Sequence, residues 1–385
     1  MRVWSSLLLL ALSGLSLAER NQPLAQSAAT LEASPGRRQR AKDLDATGAP
    51  CNNSPILCER SYSNITHLGA HDSAFVANAA NAYTISGNQF FDAKTQLDAG
   101  VRLLTAQIHT IPDQGIELRL CHTDCSLYDG GTLIDWLAGI NSWMDANPND
   151  VVTLLFVNSE NANAQRLNAA FKASGINKYS YTPASKGPQT TWPTLAAMIK
   201  ANTRLVTYIA SLGDNTAAPY MLDEFAYVFE NPFEVTAFAN FTAVPDRPTS
   251  LQGKSQQAID SGRLFLMNHF LDRVQILNIV VPDRDNAART NSPDPSVLGS
   301  LGDAMTKAVQ LYQKPPNYVL VDWFNAGPAM ATIDGYNGVS KPMGRKDVPT
   351  DIFSSTPAVQ GGVERSVEGA KMAILLAVLF MIISF

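Results

Sequence analysis

Asn64–Ser73 reads NITHLGAHDS, and Glu117–Cys125 reads ELRLCHTDC. In each, a short apolar run ends on a histidine: ITHLGA leads into His71, and ELRLC leads into His122. Runs of this length and composition read as buried strands, with polar residues beginning where the strand stops. The chain has five histidines, His67, His71, His109, His122 and His269, and four of them fall between His67 and His122. Two histidines at strand ends supply what proton transfer needs, one group to take a proton and one to give it back. A lone histidine is more often structural. The pair, with Asp72 directly after His71, points to a reaction site.

Outward from this pair, strand-like runs alternate with amphipathic segments. A helix is expected over Phe90–Ala99, closed by Gly100, then strands over Val101–His109 and Glu117–His122. Thr132–Ala146 carries Leu133, Trp136, Leu137, Ile140 and Met144 on one helical face. Val151–Val157, VVTLLFV, has the apolar character of a strand buried on both faces. Helices over Ala162–Ala173 and Trp192–Ala201 follow, the second with Pro193 in its first turn. Strands over Arg204–Ala210, Phe225–Glu230, Arg263–Phe270 and Asn317–Phe324 complete the set, with a helix near Ser300–Tyr312. Eight strands separated mostly by helices predict an α/β fold, a parallel (β/α)8 barrel. An open doubly wound sheet is the alternative, and no glycine-rich turn after the first strand supports it. In a barrel the C-terminal strand ends gather on one face. That face is expected to collect His71, Gln107, His122, Asn158 or Glu160, Glu230, His269 and Asp322.

The two ends carry addresses. Met1–Ala18 has Arg2, an apolar run and small residues at its end, which reads as a secretory signal peptide. Residues 19–50 are poor in large apolar side chains and carry the basic cluster Arg37–Lys42, a disordered leader. Residues 51–350 form one domain of barrel size. Residues 351–371 are a polar linker, and Met372–Phe385, MAILLAVLFMIISF, is an uncharged apolar tail. Gly361–Gly362, the spacer ERSVEGAK and the tail together read as a glycosylphosphatidylinositol (GPI) attachment signal. Gly361 is the expected attachment residue, with Gly362 or Ser355 as alternatives; a tail-anchored span is the competing reading. The expected location is the secretory pathway, with the product secreted or held at the cell surface by a membrane anchor. A net charge of −5 offers no basic surface for nucleic acid. In a secreted chain, Cys51/Cys58 and Cys121/Cys125 read as two local disulfides, with a metal site as the minority option. Asn52, Asn64 and Asn240 head glycosylation sequons, although Asn64 stands at the start of an expected strand. Nothing in the sequence fixes an oligomeric state.

YSNITHLGAHDS (Tyr62–Ser73), QLDAGVRLL (Gln96–Leu104), LCHTDC and TLIDWL (Thr132–Leu137) resemble, in this order and spacing, a known group. It is the X domain of the phosphatidylinositol-specific phospholipases C, and more closely the secreted fungal phospholipase-C-like phosphodiesterases. The resemblance runs from Cys51 to about Pro342. It implies a distorted TIM barrel that cleaves a phosphodiester on an inositol or related headgroup. It further implies that His71 is the general base and His122 the general acid. Asp72 follows the base as in the family motif, and Asp322 in VLVDWF matches the carboxylate that orients it. His71 would take a proton from an attacking hydroxyl, either the inositol 2-hydroxyl or water, and His122 would protonate the leaving alkoxide.

One departure stands out. Bacterial members carry an aspartate and, two residues on, an arginine that bears on the phosphate, both on the second strand. Calcium-dependent eukaryotic members hold Ca²⁺ with carboxylates there. This chain has Thr105 and Gln107 at those places. Neither the arginine nor a clear Ca²⁺ ligand set is present, so no cofactor is expected, with Ca²⁺ as the alternative. Gln107 is expected to be a neutral donor to the phosphate, and Asn158, Glu230 and His269 to contact substrate. A catalytically weak or silent barrel that binds a phosphoinositide headgroup or a cell-wall glycan is the alternative. A glycosidase using Glu160 and Glu230 is a third reading.

Overall fold

The structure is a computed structural model that describes residues 49–111, 117–275 and 278–350. Its strands in chain order are β1 (His67–Ala70), β2 (Leu103–His109), β3 (Arg119–Cys121), β4 (Asp129–Thr132), β5 (Val152–Asn158) and β6 (Leu205–Ala210). They continue with β7 (Met221–Asp223), β8 (Val228–Glu230), β9 (Leu264–Asn268), β10 (Asp272–Val274), β11 (Val280–Pro282) and β12 (Tyr318–Val321). Eight of them pair in parallel in the order β7-β6-β5-β2-β1-β12-β9-β8. Chain order is kept around the sheet and the last strand closes on the first, which is the topology of a (β/α)8 barrel. Among the described residues no ladder joins β7 to β8. The cause is local: one helical turn, Glu224–Tyr227, connects them. A parallel crossover needs a dozen or more residues, so these two strands follow each other without pairing and leave the barrel open.

Several expectations change here. The run ELRLCH is not a barrel strand: β3 pairs antiparallel with β2, Ile108 opposite Leu120 and His109 opposite Arg119, and then with β4. The eighth barrel strand is β7, whose three residues are too few to show a period. The first half of FAYVFE is helical and only Val228–Glu230 is strand. The helix expected over Phe90–Ala99 covers Ala93–Asp98, because Asp92 caps it by accepting from the Thr95 amide. Pro193 lies outside the helix Leu195–Lys200, which Thr194 caps. The helices Leu133–Ala146 and Leu301–Tyr312 begin where expected, after Thr132 and Ser300. Both expected disulfides are present, Cys51–Cys58 and Cys121–Cys125. No helix among the described residues is long and apolar enough to cross a membrane.

Leu104, Ala106, Leu154, Phe156, Ile209, Val319 and Val321 from the strands pack with Leu97, Leu137, Phe171 and Met305 from the helices in one core. A chain of buried hydroxyls crosses the barrel. Tyr62 meets Thr153 at 2.6 Å and accepts from Tyr318 at 2.7 Å, and Tyr318 meets Tyr208 at 3.1 Å. β12 is not a neighbour of β5 or β6 in the sheet, so these bonds run through the interior and satisfy polar groups that burial would otherwise penalise.

Arg102 closes the opposite end from His71. It is buried just before β2. Its guanidinium donates to Asp150 Oδ1 at 2.7 and 3.1 Å, to the carbonyls of Leu97 and Val101, and to Asn53 Oδ1. These bonds hold Arg102 at the end of the barrel away from the mouth. Arg102→Ala leaves Asp150 buried without its cation and should cost about 3–5 kcal/mol. Denaturant unfolding checks this; an unchanged midpoint contradicts it.

Candidate active site

His71 is the first residue beyond β1 and Asp322 the first beyond β12. The two strands are neighbours with Ala70 opposite Val321, so the next residues stand side by side. His71 Nδ1–H donates to Asp322 Oδ1 at 2.9 Å. Asn88 Nδ2 donates to both Asp322 oxygens, at 3.1 and 3.3 Å. Gln89 Nε2 donates to the carbonyls of His71 and Val321, at 2.8 and 3.1 Å, which pins the two strand ends together. Phe270 stacks on the His71 ring with centroids 3.7 Å apart and planes 4° apart. The ring is thus fixed on one face and at Nδ1, leaving Nε2 toward the mouth.

Asp72 occupies that mouth. Its φ is +46°, in the left-handed region that a non-glycine residue enters only when surroundings hold it there. Here its amide donates to Thr105 Oγ1 at 2.8 Å, and the next amide, Ser73, donates to the Thr105 carbonyl at 2.7 Å. Asp72 Oδ2 accepts from Gln107 Nε2 at 2.8 Å and lies 3.6 Å from His71 Nε2 and 3.4 Å from His122 Nε2. The two Nε2 atoms are therefore about 7 Å apart at most, close enough to flank one phosphate. The antiparallel course of β3 is what brings His122 here: its register with β2 continues to Ala106, beside Gln107. The Cys121–Cys125 disulfide closes the turn that carries His122, and the Thr123 amide donates to Gln107 Oε1 at 2.9 Å. Thr123 and Trp323, each next to a site residue, are also left-handed, with φ +64° and +41°. Strain of this kind gathers where a side chain must be aimed.

The side chains of His71 and His122 are 21% and 16% exposed and that of Asp72 is 3% exposed. Burial alone would lower the pKa of His71, but the nearby Asp72, Asp322 and Asp272 carboxylates outweigh it and lift the value to about 9. His122 goes the other way. Burial lowers it, with His71 adding to the effect and Asp72 opposing it. Burial raises Asp322, against the pull of His71. Burial also pushes Asp272 up to about 7, with Asp322 adding to it and His71 opposing. The groups acting most on these four are carboxylates, histidines and Asn88; no lysine or arginine is among them.

Other residues expected at the site are occupied elsewhere. Gln107 does not present a free amide to a phosphate, because one end holds Asp72 and the other holds Thr123. His269 is fully buried, its Nε2 on the Thr290 carbonyl at 2.9 Å and its ring against Phe241. Asn158 is buried too, exchanging hydrogen bonds with the backbone of Ala162 and donating to Ser211. Glu230 is neutralised by Arg247, which it also pairs with through the backbone, and accepts from Asn268. Glu160 accepts from Thr110 at 2.7 Å. Asn52 is 5% exposed and its Oδ1 accepts from the Val151 amide, so this sequon is closed to a glycan. Asn64 lies in an exposed turn before β1 rather than in the strand, and Asn240 is exposed as well. Gly361, the signal peptide, the leader up to residue 48 and the apolar tail lie outside the described residues. A Ca²⁺ site on β2 does not fit, since the Thr105 hydroxyl and the Gln107 carbonyl are both spent on backbone amides.

Asn88, Gln89, Phe270 and Asp272 were not foreseen. The adjacent amides of Asn88 and Gln89, set just before the helix Ala93–Asp98, were the available signal for two of them. Asp272 sits in β10, beyond the run read as the strand.

A profile of the family described as PI-PLC X 1 matches residues 57–337. PI-PLC X domain-containing protein 1 of Arthroderma benhamiae is 36% identical over 291 residues, covering 75% of this chain and 90% of that protein. An uncharacterized secreted protein of the same organism is 34% identical over 282 residues, covering 72% of this chain and 61% of that protein. Among solved structures, a phosphatidylinositol-specific phospholipase C of S. aureus superposes with a TM-score of 0.50 at 14% identity. That match covers 74% of this chain and 97% of the other, and shows a shared fold.

His269 and His67 are both buried, and desolvation lowers each to about 4. The unfolded chain binds their protons from about pH 6.5 downward while the fold resists, so stability falls as pH drops from 6.5 toward 4. His269→Gln should flatten that acid limb in urea unfolding between pH 7 and 4.5. An unchanged slope contradicts the assignment.

Proposed function

Since this chain belongs to the PI-PLC X family, we propose that it is a phosphoric diester hydrolase of phospholipase C type, acting on an inositol phospholipid or a related phosphodiester. The observation that carries the reading is the single Asp72 oxygen lying between two imidazole Nε2 atoms, with Asp322 behind one of them. His71, its Nδ1–H held by Asp322, takes the proton of the attacking hydroxyl at Nε2. His122 delivers a proton to the leaving alkoxide from the other side. Asp322 stabilises the imidazolium that forms, and Asp72 steadies both rings. No step in this scheme runs through a metal. The apolar run at Met1–Ala18 and the likeness to a protein described as secreted support a place in the secretory pathway. Asn64 and Asn240 are the sites accessible to glycans, and Gly361 remains the anchor residue in this reading.

A weak or silent binding barrel is the second reading. What favours it is the lack of any lysine or arginine among the groups acting most on the two histidines. A phosphoryl transition state gains from such charge.

Purified protein is incubated with phosphatidylinositol in detergent micelles, and soluble phosphate is followed by phosphorus NMR. Turnover is expected, and His71→Ala and His122→Ala should each lower it by roughly 10²–10⁴. Turnover that survives both substitutions refutes the acid–base pair. No turnover on a panel of phosphodiesters turns the assignment to the binding barrel.

A further inference from the structure

His71 is gripped by Asp322 Oδ1 at Nδ1 and by Phe270 on one ring face. Both grips lead back to two consecutive residues, Thr290 and Asn291, at the end of the helical turn Ala287–Thr290 between β11 and β12. Asn291 is buried, and its Nδ2 donates to the carbonyls of Asp322, Trp323 and Ala326 at 3.0, 3.2 and 2.9 Å. Its own amide donates to the Ala287 carbonyl at 2.9 Å, which fixes the clamp to the helical turn. The Thr290 carbonyl accepts from His269 Nε2 at 2.9 Å; this keeps His269 turned into the core and leaves Phe270 on the His71 side. From this placement we propose that Asn291 is a positioning residue, which aims the Asp322 carboxylate at His71 by holding the backbone turn that follows β12. The proposal rests on the phosphodiesterase reading above and adds to that site a residue 31 positions before Asp322 in the chain.

Three observations separate this role from simple packing. The turn needs holding, because Trp323, directly after Asp322, has a φ of +41° that a non-glycine residue keeps only under restraint. The side chain works as a donor alone: Asn291 Oδ1 is buried and has no hydrogen-bond partner. A buried oxygen without a donor is destabilising, so an apolar side chain would be the more stable filler of this space. What only the amide supplies is its N–H groups. The approach is also close. A Cβ added at Gly327, where φ is +80°, would stand 3.2 Å from Asn291 Cβ and 3.1 Å from the Ala288 carbonyl oxygen.

Asn88 and Asn291 divide the work. Asn88 holds the carboxylate itself, and Asn291 holds the main chain that carries it. With the turn released, a shift of about 1 Å at Asp322 takes its oxygen out of hydrogen-bond reach of His71 Nδ1. The ring then loses the contact that fixes its tautomer and turns Nε2 toward the attacking hydroxyl.

The test is kinetic and spectroscopic, on the intact protein with phosphatidylinositol in detergent micelles. Asn291→Ala should lower kcat by roughly 10–10²-fold and leave KM within about threefold, since no substrate contact is removed. Asn291→Ser, which keeps one donor, should fall between. In an Asp322→Ala background the further Asn291→Ala change should lower kcat by less than about threefold, because the carboxylate it places is gone. Asn337 supplies the control for stability: it is buried too and holds the Thr66 amide and carbonyl, at the far end of β1 from His71. Asn337→Ala should lower the denaturation midpoint yet keep kcat within about threefold. In proton NMR the downfield Nδ1–H resonance of His71, assigned by its loss in His71→Ala, should disappear in Asn291→Ala and persist in Asn337→Ala. Losses that add in full in the Asp322→Ala background, or an equal loss of kcat in Asn337→Ala, overturn the proposal. Wild-type protein that turns over no phosphodiester overturns the phosphodiesterase reading instead. The resonance then decides the clamp alone: its survival in folded Asn291→Ala or Asn291→Ser refutes it, and its loss upholds it.

Discussion

Parallel pairing of the first and last barrel strands sets the position of everything at the mouth. Ala70 lies opposite Val321, so His71 and Asp322 leave the sheet together and meet at 2.9 Å. A register slip of one residue would send one side chain to the other face of its strand and break the pair. The chain guards against that slip with Gln89, whose amide nitrogen bridges the His71 and Val321 carbonyls, and with Asn88, which holds both oxygens of Asp322. An imidazole held this way keeps its Nδ1 proton and turns Nε2 toward the reaction space.

Asp72 is the second constraint. Its backbone is held in a costly left-handed conformation by the Thr105 side chain, and its carboxylate by Gln107. These are the two positions where the chain departs from the bacterial and calcium-dependent patterns. The departure therefore exchanges charge for rigidity. The Thr105 hydroxyl and the Gln107 side-chain oxygen accept from backbone amides, and the Gln107 amide locks the carboxylate that links the two histidines. Gln107 also fastens the disulfide-closed turn that carries His122. The acidity of the mouth follows directly: with neutral residues on β2, the carboxylates of Asp72, Asp322 and Asp272 act on His71 unopposed by arginine.

Much of the barrel was legible because its long strands are apolar runs bounded by caps and turns. β6, β9 and β12 fall within the runs read for them, and β5 passes the end of its run by one residue, Asn158. What failed were short or returning pieces. β7 has three residues and no period, and β3 is a strand by composition whose direction only its pairing decides. At the site, His71, Asp72 and Asp322 come together as their strand-end positions implied, and His122 joins them from β3, which returns antiparallel beside β2 rather than as a barrel strand. His269 holds the same kind of position and does not join them. Successive side chains at a strand end point to opposite sides. Phe270 takes the side facing His71, so His269 turns into the core against Phe241. Asn158 and Glu230 likewise serve their own loops. A polar residue at a strand end marks a level in the barrel, and only packing decides which way it faces.

The central claim is an asymmetric histidine pair organised by carboxylates, and histidine-selective ¹⁵N NMR titration reads it directly. The account predicts that His71 keeps its Nδ1 proton throughout and loses its charge with a midpoint near pH 9, while His122 loses its charge with a midpoint below its ordinary 6.5. Two histidines that titrate together near their ordinary value, or a His71 with a bare Nδ1, would contradict it.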